Sequence, residues 1–267
     1  MRIPALVVPK EHGAWAILLV PLLTAISVTQ ACSLNIIFLT LSALSLFMSY
    51  VPVHAMLREM VERPQGENKL YQARFWAAVY LSLSVLFVTP LVLQGYNRLL
   101  MIGMIGGISF FGNFFLTRQY SKTIPSDLIA VFGLTLSAPG GYYVLTGLLD
   151  RTAIMLWILN FLFFGCCVFY VHMKIRASAL NKLQFSMGEK ISIARYTLIY
   201  HLAVISIVLL FVLDHDTRQL GILAFVPMTA HAVYGTLKLS SKVRFKNLGL
   251  LLLGQSLLFG ILLGVVE

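Results

Sequence analysis

Long apolar runs alternate with short polar segments along the whole chain. A transmembrane helix needs about 20 apolar residues, because each residue advances the helix by about 1.5 Å and the apolar layer of a bilayer is about 30 Å thick. Nine runs approach that length: 13–32, 34–56, 75–95, 98–117, 127–148, 152–173, 193–213, 218–237 and 247–266. The pattern predicts an all-α fold with nine transmembrane helices, in a single transmembrane domain over residues 1–267.

The basic residues predict the orientation of these helices. Of the 20 Lys and Arg residues, 17 lie in segments on one side of the predicted membrane and three lie on the other. By the positive-inside rule, the N-terminus is cytoplasmic and the C-terminus is outside. Adding or removing one span would break the alternation, so the charges support nine spans.

The composition limits the classes of partner that the protein is expected to bind. The chain is 59% hydrophobic and 11% charged, whereas soluble domains carry about 25% charged residues. The net charge of +10 alone would suggest nucleic acid, but the basic residues form short clusters between apolar runs. This placement is typical of contact with anionic lipid head groups. We therefore expect the lipid bilayer as a partner, and no nucleic acid.

One short motif, Val-His-x-x-x-Arg, occurs at the ends of the second and sixth runs. It contains His54 and Arg58 in the first copy and His172 and Arg176 in the second. Residues four apart lie on one face of a helix. One interpretation is that each Arg only reaches the lipid head groups. The other is that the two copies and Lys174 form a cationic cytoplasmic cavity mouth, which would bind an anionic ligand.

Two observations refine this motif. No carboxylate lies near either histidine along its own helix, and the adjacent cations would repel a metal ion, so we predict no metal site. A His can donate or accept a proton near neutral pH, so His54 and His172 are the candidate catalytic residues. The duplication also suggests a weak internal repeat, about 13–122 and 127–240, and such repeats often place a site at their interface.

Other polar residues stand where runs meet the cytoplasmic side. Those before the first run are either an interfacial anchor or a lid over a cavity. Those at the end of the fourth run either make a helix–helix hydrogen bond or bind a ligand. The candidate ligand-binding residues are Lys10, Glu11, His12, His54, Arg58, Asn113, Arg118, Tyr120, Lys122, His172, Lys174 and Arg176.

Three features lie inside the predicted membrane. Pro139-Gly140-Gly141 interrupts the fifth run and marks either a cavity or a packing kink. His201 and His231 lie within the seventh and eighth runs, where they either pack as neutral rings or act as haem ligands or proton relays. No Asp or Glu lies clearly inside a run, which argues against ion-coupled transport.

Two resemblances follow from these motifs. Pro9-Lys10-Glu11-His12-Gly13-Ala14-Trp15-Ala16 resembles the opening signature of the YwiC-like family of bacterial membrane proteins, and the likeness implies the bacterial cytoplasmic (inner) membrane. More distantly, the topology and Arg118-Gln-Tyr120-Ser-Lys122-Thr-Ile-Pro125 are similar to the UbiA superfamily of intramembrane prenyltransferases. That second likeness implies a UbiA-like bundle around an intramembrane cavity.

The UbiA-like resemblance also predicts a difference in chemistry. That superfamily binds magnesium and an isoprenyl diphosphate through Asp-rich motifs after helices 2 and 6, where this chain has Val-His-x-x-x-Arg. We therefore predict no cofactor and no magnesium, with haem as an open alternative. The expected ligand is an anionic or phosphorylated lipid or prenyl-type molecule. If the protein is an enzyme, it is a prenyltransferase-like transferase. The alternatives are a transporter of a small anion or metabolite, or a haem- or quinone-handling protein.

Overall fold

The described chain is helical throughout. The computed structural model describes residues 5–9, 12–61, 67–120, 123–182, 184–213 and 219–266. The helices within these ranges are α1 (His12–Thr29), α2 (Leu34–Val61), α3 (Glu67–Leu93), α4 (Arg98–Tyr120), α5 (Ile124–Thr135), α6 (Ser137–Thr146), α7 (Arg151–Ala179), α8 (Met187–Leu213), a short 3-10 helix (Gln219–Phe225), α9 (Val226–Leu237) and α10 (Phe245–Val266). The predicted all-α class is confirmed.

Seven helical segments of the described chain are long and apolar enough to cross a membrane, with α5 and α6 together counting as one. They are Leu34–Glu59, Lys69–Leu93, Arg98–Thr117, Ile124–Thr146, Arg151–Ala179, Met187–Leu213 and Phe245–Val265. Two further apolar helices, Gly13–Thr29 and Gly221–Leu237, are shorter and coincide with the first and eighth predicted runs. The protein is therefore a multi-pass helical membrane protein.

The α5–α6 segment and α7 form the centre of the bundle. In each, 56% of the most apolar window is buried inside the protein, against 22–28% for the other five long segments. One buried stripe on α7 includes Leu156, Phe163 and Tyr170, which recur every seven residues and so share a face. Phe163 stacks on Phe259 of α10 with ring centroids 4.1 Å apart. The less buried helices leave most of their apolar surface for lipid.

The break between α5 and α6 comes from Pro139. Proline has no N–H to donate to the carbonyl four residues back, which here belongs to Thr135, and its ring crowds that carbonyl. The break accordingly falls at Leu136, while the Pro-Gly-Gly segment lies buried inside α6. A Cβ on Gly141 would lie 3.1 Å from the Cβ of Ala25 on α1. Of the two interpretations of this segment, the packing kink is the one whose contacts are observed.

Candidate functional site at the ends of α2 and α7

A hairpin formed by α4 and α5 meets both copies of the Val-His-x-x-x-Arg motif. A capping box begins α5, in which Thr123 and Ser126 each accept a backbone N–H from the other, at 3.4 Å and 3.1 Å. Asn113 of α4 is 5% exposed and donates its side-chain amide to the Ser126 carbonyl. The helix–helix hydrogen bond is thus the observed role of Asn113, and it ties α4 to the start of α5.

His172 of α7 contacts the α5 side of this hairpin. Its Nε2 lies 2.8 Å from Oδ2 of Asp127, and the two side chains are 17% and 38% exposed. Asp127 occupies the first turn of α5, where the helix dipole favours a carboxylate. The contact is an ion pair when the imidazole is protonated and a hydrogen bond when it is neutral. A carboxylate-held imidazole suits proton transfer.

Asp127 was missed because it comes from another helix, 45 residues away along the chain. The local sequence Thr123-Ile-Pro-Ser-Asp127 does carry a signal. A capping residue, a proline in the first turn and an acidic residue together predict the start of a helix. Which side chain that helix start would meet depends on how α5 packs against α7.

His54 of α2 contacts the α4 side of the same hairpin. Its ring centroid lies 5.0 Å from that of Phe114, edge to face, and 5.7 Å from that of Tyr50. Phe114 is 3% exposed and directly follows Asn113. The two motif histidines therefore meet one hairpin, His54 through an aromatic ring and His172 through a carboxylate.

The cations that follow His172 point to other helices. Lys174 donates Nζ to the Gly235 carbonyl at 2.9 Å and lies 5.2 Å from the Tyr170 ring centroid. Lys190 makes a similar contact, from Nζ to the Leu237 carbonyl at 2.8 Å. The last carbonyls of a helix lack partners within it and carry partial negative charge. Lys174 and Lys190 therefore stabilise the C-terminal end of α9.

The two motif arginines are both exposed. Arg58 lies in the last turn of α2. The Arg176 guanidinium carbon lies 5.8 Å from the Tyr196 ring centroid on α8. The structure thus brings His54, His172 and Asn113 to the α4–α5 hairpin, whereas Lys174 and Arg176 contact α9 and α8.

Some predicted residues cannot be placed with their side chains. Lys10, Glu11 and Lys122 lie outside the described residues. His12 is the first residue of α1, and Arg118 and Tyr120 lie in the last turn of α4. The residues whose backbone alone is described are His12, Arg118 and Tyr120.

The described residues before α1, 5–9, are hydrogen-bonded to α3. The Ala5 carbonyl accepts hydrogen bonds from Gln72 Nε2 at 2.6 Å and Trp76 Nε1 at 2.9 Å, and the Val7 carbonyl accepts one from Tyr80 Oη at 2.9 Å. The three donors are spaced by four residues and so share a face of α3. Sequence reasoning did not foresee this attachment of the N-terminal segment, although the spacing of the three donors could have indicated it.

His201 and His231, which the sequence predicts to lie inside the membrane, contact α8 and α7. His201 is 3% exposed, and its Nδ1 lies 2.8 Å from the Thr197 carbonyl. The His231 ring lies edge to face with Tyr170, with centroids 4.9 Å apart. In both rings Nε2 is buried and has no hydrogen-bond partner within the described chain. No group of three potential metal ligands occurs among the described residues.

These features define a multi-pass helical membrane protein with a polar hairpin between two motif-bearing helix ends. The family model of YwiC-like proteins matches residues 8–142, just over half of the chain, so the chain belongs to the YwiC-like family. The resemblance predicted from the opening signature is confirmed. A relative, "Uncharacterized protein YwiC" from Bacillus subtilis (strain 168), is 28% identical over 172 residues, which cover 63% of this chain and 67% of the relative. No solved structure matches the chain.

Proposed function

We propose that this YwiC-like protein binds an anionic or phosphorylated lipid or prenyl-type molecule at the cytoplasmic ends of α2 and α7. The observation that carries the proposal is that His54 and His172 contact the same α4–α5 hairpin. Each histidine is followed one turn later by an exposed arginine, Arg58 or Arg176. Guanidinium groups bind phosphate oxygens in a bidentate manner, so a phosphorylated head group suits this arrangement.

The proposed bundle is UbiA-like and crosses the cytoplasmic membrane nine times, with the N-terminus inside. Besides the seven long segments, it includes the shorter helices Gly13–Thr29 and Gly221–Leu237. The support is the distribution of basic residues, because leaving out either short helix would put clusters of Lys and Arg on both sides. Burial also supports the inclusion of α1 in the bundle, because its residues Val20 and Ala25 belong to the main hydrophobic core.

The same groups suit a transfer reaction. The bond between the prenyl carbon and the diphosphate oxygen would break, and the acceptor would form a new bond to that carbon. His172, oriented by Asp127, takes the proton that the acceptor loses. Arg58 and Arg176 stabilise the charge on the departing diphosphate. Lys174 is left out of this role because its Nζ donates to the Gly235 carbonyl.

The binding proposal is tested with full-length protein in nanodiscs and farnesyl diphosphate as the probe. We expect saturable binding that the Arg58→Gln/Arg176→Gln double variant weakens by roughly ten-fold or more, because each charged hydrogen bond contributes about 1.5–3 kcal/mol. Arg244→Gln, at an exposed loop position, is the control with the same type of charge change. Absence of binding by the unaltered protein, or equal affinity in the double variant, would disprove the proposal.

A second candidate function is favoured by His201 and His231. A buried imidazole nitrogen without a partner is costly and can be satisfied by a bound group. A haem iron would bind such a nitrogen as an axial ligand, and the hydroxyl of a reduced quinone would donate a hydrogen bond to it. The absorbance spectrum of protein expressed with haem supplied tests the haem case, and a spectrum without a Soret band would reject it.

A further inference from the structure

Two guanidinium groups converge on one exposed tyrosine at the adjoining ends of α7 and α8. The Arg195 guanidinium carbon lies 4.5 Å from the Tyr196 ring centroid, and its Nη2 donates to Tyr196 Oη at 2.8 Å. Arg176 approaches the same ring from α7, at 5.8 Å. Tyr196 is 45% exposed, and both arginines are exposed. Two positively charged groups thus contact one ring at the surface.

No carboxylate balances these charges within the described residues. The ion pairs found there are His172–Asp127 and Lys182–Glu189, and neither involves Arg176 or Arg195. Two cations that contact the same exposed ring form a positively charged surface, which favours the binding of an anion. Arginine's planar donors match the oxygens of a phosphate group better than a point charge would. The missing partner is therefore expected to be a phosphate-type anion.

The surface next to this pair is apolar and exposed. Ile199 and Leu202 follow Arg195 by four and seven residues, so they continue the same face of α8, and they are 62% and 68% exposed. Ile175, beside Arg176, is 45% exposed. Tyr196 has the amphipathic ring that is enriched at the depth of lipid head groups. A ligand with a phosphate at one end and acyl chains at the other matches this surface.

We propose that Arg176, Arg195 and Tyr196 form a binding site for the phosphate of an anionic bilayer phospholipid, whose acyl chains lie along Ile199 and Leu202. The site faces lipid at the α7–α8 surface, whereas His172 faces α5. It deepens the proposed function by adding a second contact for anionic lipid. It shares Arg176 with the proposed function and rests on the proposed position of the α7 and α8 ends at the membrane surface, but it does not require a ligand at His172.

Native mass spectrometry of delipidated full-length protein tests the site, with phosphatidylglycerol as the titrated lipid. We expect discrete bound lipid, with affinity reduced roughly ten-fold or more in Arg176→Gln/Arg195→Gln. Each basic residue near an anionic lipid surface raises the affinity for that lipid by roughly five-fold. Arg244→Gln is the matched control and should bind as the unaltered protein does. Tyr196→Leu removes the ring that holds the two guanidiniums and should also weaken binding. Equal affinity in the unaltered protein and the double arginine variant would overturn the proposal.

Two further experiments distinguish a lipid site from a site for small anions and from the proposed site at His172. Glycerol phosphate should not displace the lipid at equal concentration, because it lacks acyl chains; displacement would show a site for small anions and overturn the lipid assignment. The His172→Gln/Asp127→Asn variant should keep its phosphatidylglycerol affinity even if it loses farnesyl diphosphate binding. Loss of lipid binding in that variant would contradict a surface site that binds lipid without His172. Thermal unfolding of each variant checks that it remains folded.

Discussion

The ends of α2 and α7 carry the same motif, yet their histidines have different neighbours. His54 packs against the rings of Phe114 and Tyr50, while His172 bonds to the carboxylate of Asp127. In both cases the neighbour belongs to the α4–α5 hairpin or to the same helix. A short motif therefore sets where a side chain lies on its own helix, and the facing helix decides which groups that side chain meets.

The two helices also differ in how much of their surface is buried inside the protein. The apolar window of α7 is 56% buried against 28% for α2. As a central helix, α7 contacts α5, α8 and α9 near its end, so its successive polar side chains each meet a different helix. In α2, which pairs mainly with α3 through contacts such as Ser42 Oγ to the Ser84 carbonyl at 2.9 Å, more surface remains for lipid.

Of the variants that compare the two helix ends, the largest loss of stability is expected from a larger side chain packed against the end of α7. A Cβ at Gly235 would overlap Tyr170 Oη, next to the carbonyl that accepts from Lys174. Gly235→Val should destabilise the protein by about 1–3 kcal/mol or more through overpacking, and so lower the midpoint of thermal unfolding in detergent. Gly249→Val is the control, because no atom lies within 4 Å of a Cβ there. Equal midpoints for the two variants would show that the contact between α9 and α7 is looser than described.

An intermediate effect is expected from the polar pair. In a double-mutant cycle of His172→Gln and Asp127→Asn, we expect a coupling energy of about 0.5–1 kcal/mol, a low value for a bonded pair because the Asp127 side chain is 38% exposed. Unfolding of bicelle-embedded protein in denaturing detergent measures it. Additive single changes would mean that the two groups do not interact in the membrane.

The smallest effect is expected at the α2 end. A cycle of His54→Leu and Phe114→Leu should give a coupling of about 0.5 kcal/mol, the lower part of the range for aromatic pairs, and below that of the polar pair. The same unfolding assay applies. A coupling larger than that of His172 and Asp127 would reverse the proposed difference between the two ends.

The sequence predicts many of the residues of the candidate site, but it does not predict which of them contact each other. The sequence singles out His54, His172 and Asn113 because polar side chains in or beside apolar runs are uncommon. It also predicts a helix start before Asp127. It does not predict that Asp127 meets His172, because that contact depends on the packing of α5 on α7. Lys174 and Arg176 were expected to lie beside His172. They contact α9 and α8 instead, because packing between helices decides these contacts as well.

The sequence by itself determined the class of this protein, because long apolar runs leave helices across a membrane as the stable arrangement. It also predicted the family, through Lys10-Glu11-His12-Gly13 and its neighbours. Only the tertiary structure decided which polar groups pair. Helical periodicity specifies the face on which a residue lies, whereas the partner of that face is chosen by packing between helices far apart in the chain. The two Val-His-x-x-x-Arg ends are thus alike in sequence and different in their surroundings.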